Sequence, residues 1–164
     1  MKAGQILDAE TDTTYVLKLV GDVRLTLSTT LERCIQKMLA AGNYQQVLVD
    51  VTEAEGIDST SLGMLAKLSI HVQKTMGFVP LLVYSSEDIH RVLVSMGFAD
   101  SVYIMLEDAD MMGTPTEAVA ALDSDEESIR QQVLEAHRVL MSLNEENEDT
   151  FRDLVCALEQ GGCA

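Results

Sequence analysis

The chain has 164 residues, a formal net charge of −16 and a hydrophobic content of 47%. This length accommodates one ordinary globular domain with a surplus, but not two full-sized domains. Only 11 basic residues stand against 27 acidic ones, which argues against nucleic acid and anionic membrane surfaces as partners, because both need a basic footprint. No apolar segment reaches the roughly 20 residues that a membrane-spanning helix needs.

The hydrophobic pattern predicts alternating strands and helices over the first two thirds of the chain. Segments rich in β-forming residues predict five strands, over residues 5–9, 13–20, 46–51, 79–84 and 102–106. Segments with apolar residues at the helical period predict three helices, over residues 28–41, 59–76 and 89–96. The order β-β-α-β-α-β-α-β predicts an α/β domain with a central mixed sheet and right-handed crossovers.

Glycines and hydroxyl residues mark the ends of these elements. Gly21 is expected to end the second strand, and residues 52–57 are expected to form a loop before the second helix. The first helix can be capped by any one of three adjacent residues, Ser28, Thr29 and Thr30. Ser86 stands before two acidic residues, which is typical of the start of the third helix.

The composition changes after a predicted linker over residues 107–116. Residues 114–164 carry 12 acidic and 3 basic side chains, a net charge of −9, whereas residues 1–113 carry a net charge of −7. We therefore predict two units, a sheet domain over residues 1–113 and an acidic helical extension over residues 114–164.

The extension is expected to form a helical hairpin. Ser124 and Glu127 match a capping box for a first amphipathic helix, whose apolar stripe includes His137. Asn144 or Asn147 can cap a second one. Isolated helices of this length are marginal in water, so we expect their apolar stripes to be covered by the sheet domain, by a partner or by a second copy in a homodimer.

The sequence lacks the simple motifs of enzymes and metal sites. It contains no GxGxxG, GxxxxGK[ST], GxSxG or HExxH pattern, so we expect no catalytic activity, no cofactor and no metal. The three cysteines include no CxxC pair, and the N-terminal residues do not resemble a secretory signal. These features predict a cytoplasmic protein.

One segment points to chemistry. Asp58 is followed by three hydroxyl residues, Ser59, Thr60 and Ser61, at the expected start of the second helix. One N-cap is required there, and a helix N-terminus also favours an anion. Two interpretations remain open on these grounds. The residues serve capping alone, or one hydroxyl accepts a phosphoryl group, which would add about −1.5 to −2 charge and repel a docked partner.

These residues resemble the STAS domain of bacterial anti-sigma factor antagonists. The resemblance covers roughly residues 5–106 and rests on the buried strand VLVDV, on DSTSLG over residues 58–63, and on LLVYSSEDIHRVLVSMGFADSVYI. The family motif usually reads Asp-Ser-[Ser/Thr]-Gly-[Leu/X]-Gly, so Ser61 stands where glycine is usual.

The resemblance implies partner switching without catalytic activity. An unphosphorylated antagonist binds an anti-sigma factor that is also a serine kinase, phosphorylation releases it, and a PP2C-type phosphatase restores binding. Motif matching makes Ser59 the phosphoacceptor, with Thr60 as the alternative. The implied partner-binding residues are those of the motif, Asp58, Ser59, Thr60, Ser61, Leu62 and Gly63.

Two other hypotheses remain. The chain could keep this fold as a non-enzymatic STAS scaffold or a small-ligand or nucleotide sensor in a signalling complex, with DSTSLG as an anion site. An enzyme would instead need a base beside Ser59, and no histidine can be placed there from the sequence.

Overall fold

The computed structural model describes residues 2–107 and 117–160. Within these residues, six strands form one sheet: β1 (Gln5–Glu10), β2 (Thr14–Val23), β3 (Gln46–Ile57), β4 (Leu81–Tyr84), β5 (Ile104–Glu107) and β6 (Glu117–Ala118). The order across the sheet is β5-β4-β3-β2-β1-β6. Strands β2 to β5 run parallel, whereas β1 pairs antiparallel with both β2 and β6.

Helices follow the strands in the predicted alternation. The helices of the described residues are α1 (Ser28–Ala41), α2 (Ser59–Met76), α3 (Glu87–Ser95), α4 (Glu126–Leu143) and α5 (Glu145–Gln160). The predicted α/β fold with a mixed sheet and a C-terminal helical hairpin is confirmed. The short strand β6 was not predicted, and most of the predicted linker, residues 108–116, lies outside the described part of the chain.

Two predictions about strand ends are wrong, and both concern the β2–β3 pair. Strand β2 continues past Gly21, which adopts a φ of +75° at a register shift. Only glycine fits there easily, since an added Cβ would lie 2.5 Å from the carbonyl oxygen of Ala3. Residues 52–57 are not a loop but the second half of β3, because the extended β2 supplies their pairing partner up to Val23 opposite Ile57. The two strands therefore end together, directly before α2.

The hairpin of α4 and α5 packs on the sheet domain through α2, with further contacts from α4 to α1. Its apolar stripes are buried within the chain, at Leu134, Ala136, Leu140, Phe151 and Val155. This packing removes the reason for expecting a second copy, and a homodimer through these helices stays a prediction. None of the described helices is both long and apolar enough to span a membrane.

Candidate functional site

Asp58 fixes the start of α2. It is the N-cap residue of the helix, and its Oδ1 accepts a hydrogen bond of 2.9 Å from the backbone N–H of Ser61. Its Oδ2 accepts a bond of 2.7 Å from the N–H of Leu25, in the connection between β2 and α1. The backbone N–H of Asp58 donates to the carbonyl of Val23. One carboxylate thus holds the helix start against the end of the sheet.

The three hydroxyl residues after Asp58 differ in exposure. Ser59 is half-buried, whereas Thr60 is 3% and Ser61 is 1% exposed. The hydroxyl of Ser61 is buried and finds no hydrogen-bond partner among the described residues. It occupies the position where the motif usually has glycine, and its burial without a partner costs free energy. Ser59 is therefore the most exposed residue of the three.

The extension reaches the Ser59 hydroxyl. Ser59 Oγ lies 2.8 Å from Nε2 of His137 on α4, a residue 78 positions away in the sequence. The other ring nitrogen of His137, Nδ1, lies 2.7 Å from the carbonyl oxygen of Val133. A carbonyl can only accept, so Nδ1 carries the hydrogen, and in the neutral ring Nε2 accepts the bond from the Ser59 hydroxyl.

The imidazole ring of His137 is enclosed. The residue is 1% exposed, and the ring of Phe151 on α5 packs against it edge-on with centroids 5.0 Å apart. Three contacts therefore hold the ring: the Ser59 hydroxyl, the Val133 carbonyl and the Phe151 ring. Both helices of the hairpin therefore contribute to holding the ring beside Ser59.

Gly63 brings the backbones of α2 and α4 into contact. A Cβ at this position would lie 2.8 Å from the Cα of Ala136 and closer still to its carbonyl group. The three atoms nearest to that added Cβ all belong to Ala136. The second glycine of the motif is therefore required here by the extension, since any side chain would separate the two helices.

Polar contacts from α1 complete the interface with the extension. The three hydroxyls predicted as alternative caps of α1 make no capping bond, because Leu27 occupies the N-cap position. They bond to the extension instead: Ser28 Oγ donates to Gln132 Oε1 at 2.6 Å, Thr29 Oγ1 lies 2.5 Å from Ser124 Oγ, and Thr30 Oγ1 accepts from the N–H of Leu122 at 2.9 Å. With Ser124 so engaged, Asp125 rather than Ser124 caps α4.

Lys67 on α2 joins three helices. Its Nζ lies 2.9 Å from Glu32 on α1 and 3.0 Å from Glu135 on α4. Burial by itself lowers the pKa of Lys67, but the hydrogen bonds and negative charges of the two carboxylates outweigh it and raise the pKa above its ordinary value. Lys67 is therefore held in its charged form at the interface.

A groove of about 230 Å³ lies beside the start of α2, between the end of β3 and α3. Its apolar lining includes Ile57, Leu62 and Val92, and Val92 is 39% exposed. Two carboxylates, Glu55 and Asp88, also line it. The groove offers an apolar surface with acidic neighbours close to Ser59 in the chain.

Comparison with known proteins identifies the sheet domain. The family model described as the STAS domain matches residues 5–112. The chain belongs to the STAS domain family. This confirms the resemblance seen in the sequence. None of the curated proteins matches the chain significantly.

Two solved structures share the STAS fold with this chain. The anti-sigma factor antagonist SpoIIAA in its unphosphorylated form matches with a TM-score of 0.50 and 17% identity, over 66% of this chain and 90% of that one. The Bacillus cell fate determinant SpoIIAA in its phosphorylated form matches with a TM-score of 0.52 and 17% identity, over 66% of this chain and 93% of that one. At this identity the likeness describes the fold.

The structure brings the motif residues of the STAS domain together, but not in equivalent environments. Asp58 caps α2, and Gly63 faces α4. The three residues Thr60, Ser61 and Leu62 are buried. Among residues 2–107 and 117–160, no group of three or more His, Cys, Asp or Glu side chains is placed to hold a metal ion.

The sequence alone placed no histidine near Ser59, and the structure brings His137 there. The extension folds back so that α4 packs across the start of α2, and the sequence pattern does not specify this topology. One signal was present, because His137 falls on the otherwise apolar stripe of its helix, and a polar residue there needs a buried partner. Nδ1 of His137 is held by a backbone carbonyl, so the carboxylate of a Ser-His-Asp triad does not stand at that position.

The unpartnered hydroxyl of Ser61 predicts a stabilising substitution. Ser61→Ala removes a buried polar group that makes no bond, so we expect the free energy of unfolding to rise by about 1 kcal/mol. Ser69→Ala is the matched control on the same helix, because the Ser69 hydroxyl donates to the carbonyl of Val102, and its loss should cost about 1 kcal/mol or more. Urea unfolding of both variants checks this; equal destabilisation would show that the Ser61 hydroxyl has a partner.

Proposed function

We propose that this chain is an anti-sigma factor antagonist that acts by partner switching. With Ser59 unphosphorylated, it captures an anti-sigma factor that is also a serine kinase. Phosphorylation of Ser59 by that kinase releases it, and a PP2C-type serine phosphatase restores the binding form. The chain thereby controls transcription in the bacterial cytoplasm by binding, without catalytic activity of its own.

The observation that carries the proposal is the placement of Ser59 in a STAS domain. Ser59 is the first residue of α2 and follows directly on the N-cap Asp58, at the end of the paired strands β2 and β3. A phosphoryl group on this hydroxyl would stand at a helix N-terminus, where the helix dipole favours negative charge. The start of α2 can therefore accept the modification without unfolding.

The exposure of the hydroxyls favours Ser59 over Thr60 as the acceptor. A kinase must place the γ-phosphate of ATP in line with the attacking hydroxyl. Thr60 and Ser61 are almost completely buried, whereas Ser59 is half-buried and its hydroxyl contacts His137 of the extension. Modification of Ser59 requires movement of α4, whereas modification of Ser61 would require α2 to leave the sheet.

The surface beside Ser59 suits an apolar and basic partner segment. The groove near α3 provides Ile57 and Val92 as apolar contacts, and Glu55 and Asp88 provide negative charge. A phosphate of −1.5 to −2 charge would add to this acidic edge. Like charges placed in a docked interface are costly, which gives phosphorylation a direct means of lowering partner affinity.

The alternative role as a nucleotide or anion sensor has less support. The carboxylate of Asp58 already occupies the N–H of Ser61, and the Asp58 carbonyl accepts from the N–H of Leu62. A calorimetric titration with nucleotide distinguishes this alternative from partner switching, because heat of binding without any protein partner would favour the sensor.

The phosphoacceptor is tested by intact-mass measurement. The anti-sigma factor kinase, captured from the native cell with the Ser59→Ala variant as bait, is incubated with the chain and ATP. We expect one added phosphate on the wild type and on Thr60→Val, which keeps the shape of the threonine side chain, and none on Ser59→Ala. Phosphate retained by Ser59→Ala and lost from Thr60→Val would move the acceptor to Thr60 and contradict the assignment.

The charge mechanism is tested by a matched pair at the same position. Ser59→Asp introduces a negative charge, whereas Ser59→Asn introduces a side chain of the same shape without charge. We expect Ser59→Asp to weaken capture of the anti-sigma factor by about tenfold or more, a difference of about 1.4 kcal/mol, and Ser59→Asn to retain capture. Titration in a pull-down measures both, and equal affinities would rule out charge repulsion as the cause of release.

A further inference from the structure

We propose that the α4–α5 hairpin is an autoinhibitory cover of the STAS domain, and that its docking and a phosphoryl group on Ser59 exclude each other. The hairpin docks where the proposed function places kinase and partner, so its regulatory consequence rests on that proposal. The mutual exclusion itself rests on the contacts of α2 with α4 and stands without it.

The position of His137 leaves no space for a phosphoryl group. Ser59 Oγ and His137 Nε2 are already at hydrogen-bond distance, 2.8 Å. The imidazole cannot move aside while the hairpin stays docked, because the Val133 carbonyl holds its Nδ1 and Phe151 packs against the ring. With Oγ in its observed direction, a tetrahedral phosphoryl group would have to occupy the volume of the ring. In the docked state the same ring blocks the in-line approach of a kinase.

The helices cannot slide apart slightly to make this space. Gly63 and Ala136 bring the two backbones into direct contact one turn beyond Ser59. Closely packed interfaces change between discrete arrangements rather than deforming continuously. Phosphorylation of Ser59 therefore requires α4 to leave α2 as a unit.

The interface combines apolar and polar contacts. Beside the close packing of α2 on α4, it contains hydrogen bonds between polar side chains of α1 and the extension and the ion pair of Lys67 with Glu135. Such bonds contribute about 1 kcal/mol each, because water replaces them when the surfaces separate. The surface that α1 would expose is polar, with Ser28, Thr29 and Thr30 at its centre. Ala136, Leu140 and Phe151 of the hairpin belong to the same apolar core as the strands and α2, so opening the hairpin also exposes apolar surface.

Docking lowers the affinity for any protein that binds around Ser59. When only a fraction of molecules is open, the apparent dissociation constant rises by the inverse of that fraction. A ligand that binds the separated hairpin would raise the open fraction and promote capture without any change at Ser59. The extension thus supplies a second control on the surface that phosphorylation controls.

Hydrogen–deuterium exchange on the full chain tests the exclusion without a kinase. Phosphoserine is incorporated at position 59 during translation, and peptides of α4–α5 and of β2–β3 are compared with the unmodified chain. We expect exchange in α4–α5 to accelerate by about tenfold or more, which corresponds to about 1.4 kcal/mol of docking free energy, while β2–β3 keeps its protection. Unchanged protection of α4–α5 would overturn the proposal, and so would an equal loss in β2–β3, because the hairpin would then be part of the core.

An unphosphorylated variant tests the same interface by steric means. Ala136 is 1% exposed, so Ala136→Arg places a large charged side chain in a buried part of α4 and should open the hairpin as phosphoserine does. Arg138→Ala, two residues further along α4, removes an exposed side chain that pairs with Glu159 within the hairpin and should leave protection unchanged. Opening by Arg138→Ala to the same extent would contradict the interface as we place it.

The outcomes separate this inference from the proposed function. If Ala136→Arg opens the hairpin but captures no anti-sigma factor, the cover stands and partner switching fails. If the wild type and Ala136→Arg capture the anti-sigma factor with equal affinity and are phosphorylated at equal rates, partner switching stands and the autoinhibitory role of the cover is overturned.

Discussion

The contact of α4 with the first turns of α2 determines what this molecule can do. At one end, the Ser59 hydroxyl is hydrogen-bonded to a buried imidazole, and one turn on, Gly63 allows the two backbones to touch. Each contact depends on the other, because His137 reaches Ser59 only while Ala136 lies against Gly63. The STAS domain alone would leave this face of α2 to solvent or to a partner.

One small surface therefore serves three roles in this account. Asp58 gives it rigidity, since a single carboxylate joins the start of α2 to the connection after β2. Ser59 supplies the hydroxyl that we propose is phosphorylated, and the position of the hairpin determines whether that hydroxyl is accessible. In this proposal the phosphoryl group, the partner protein and the hairpin compete for the same volume. Capture of the partner then depends on their relative affinities and requires no change in the sheet. The acidic character of the chain fits this arrangement, because added negative charge acts on a surface that is already acidic.

The sheet domain was predictable because its signals are local. Each signal depends only on residues that are close together in the sequence. These signals are the strand and helix periods, the caps at Asp58 and Ser86, and the DSTSLG motif. The errors arose where a distant segment decided the outcome. A glycine at position 21 predicts a strand end because glycine often breaks strands, although it also suits a bulge, and Ser28, Thr29 and Thr30 predict a cap because hydroxyls usually cap helices. The partners of Ser28, Thr29 and Thr30 depend on where the extension packs, and so does the approach of His137 to Ser59. The periodicity of the sequence contains no information about that packing.

The tautomer and hydrogen bond of His137 test the central contact most directly. Two-bond ¹H–¹⁵N correlation spectra of the histidine side chains distinguish a protonated ring nitrogen from one that accepts a hydrogen bond. Our account predicts that His137 carries its hydrogen on Nδ1, and that its Nε2 resonance shifts in Ser59→Ala but not in Thr60→Val. An Nε2–H tautomer, or a resonance that does not respond to Ser59→Ala, would contradict the docked hairpin on which the account depends.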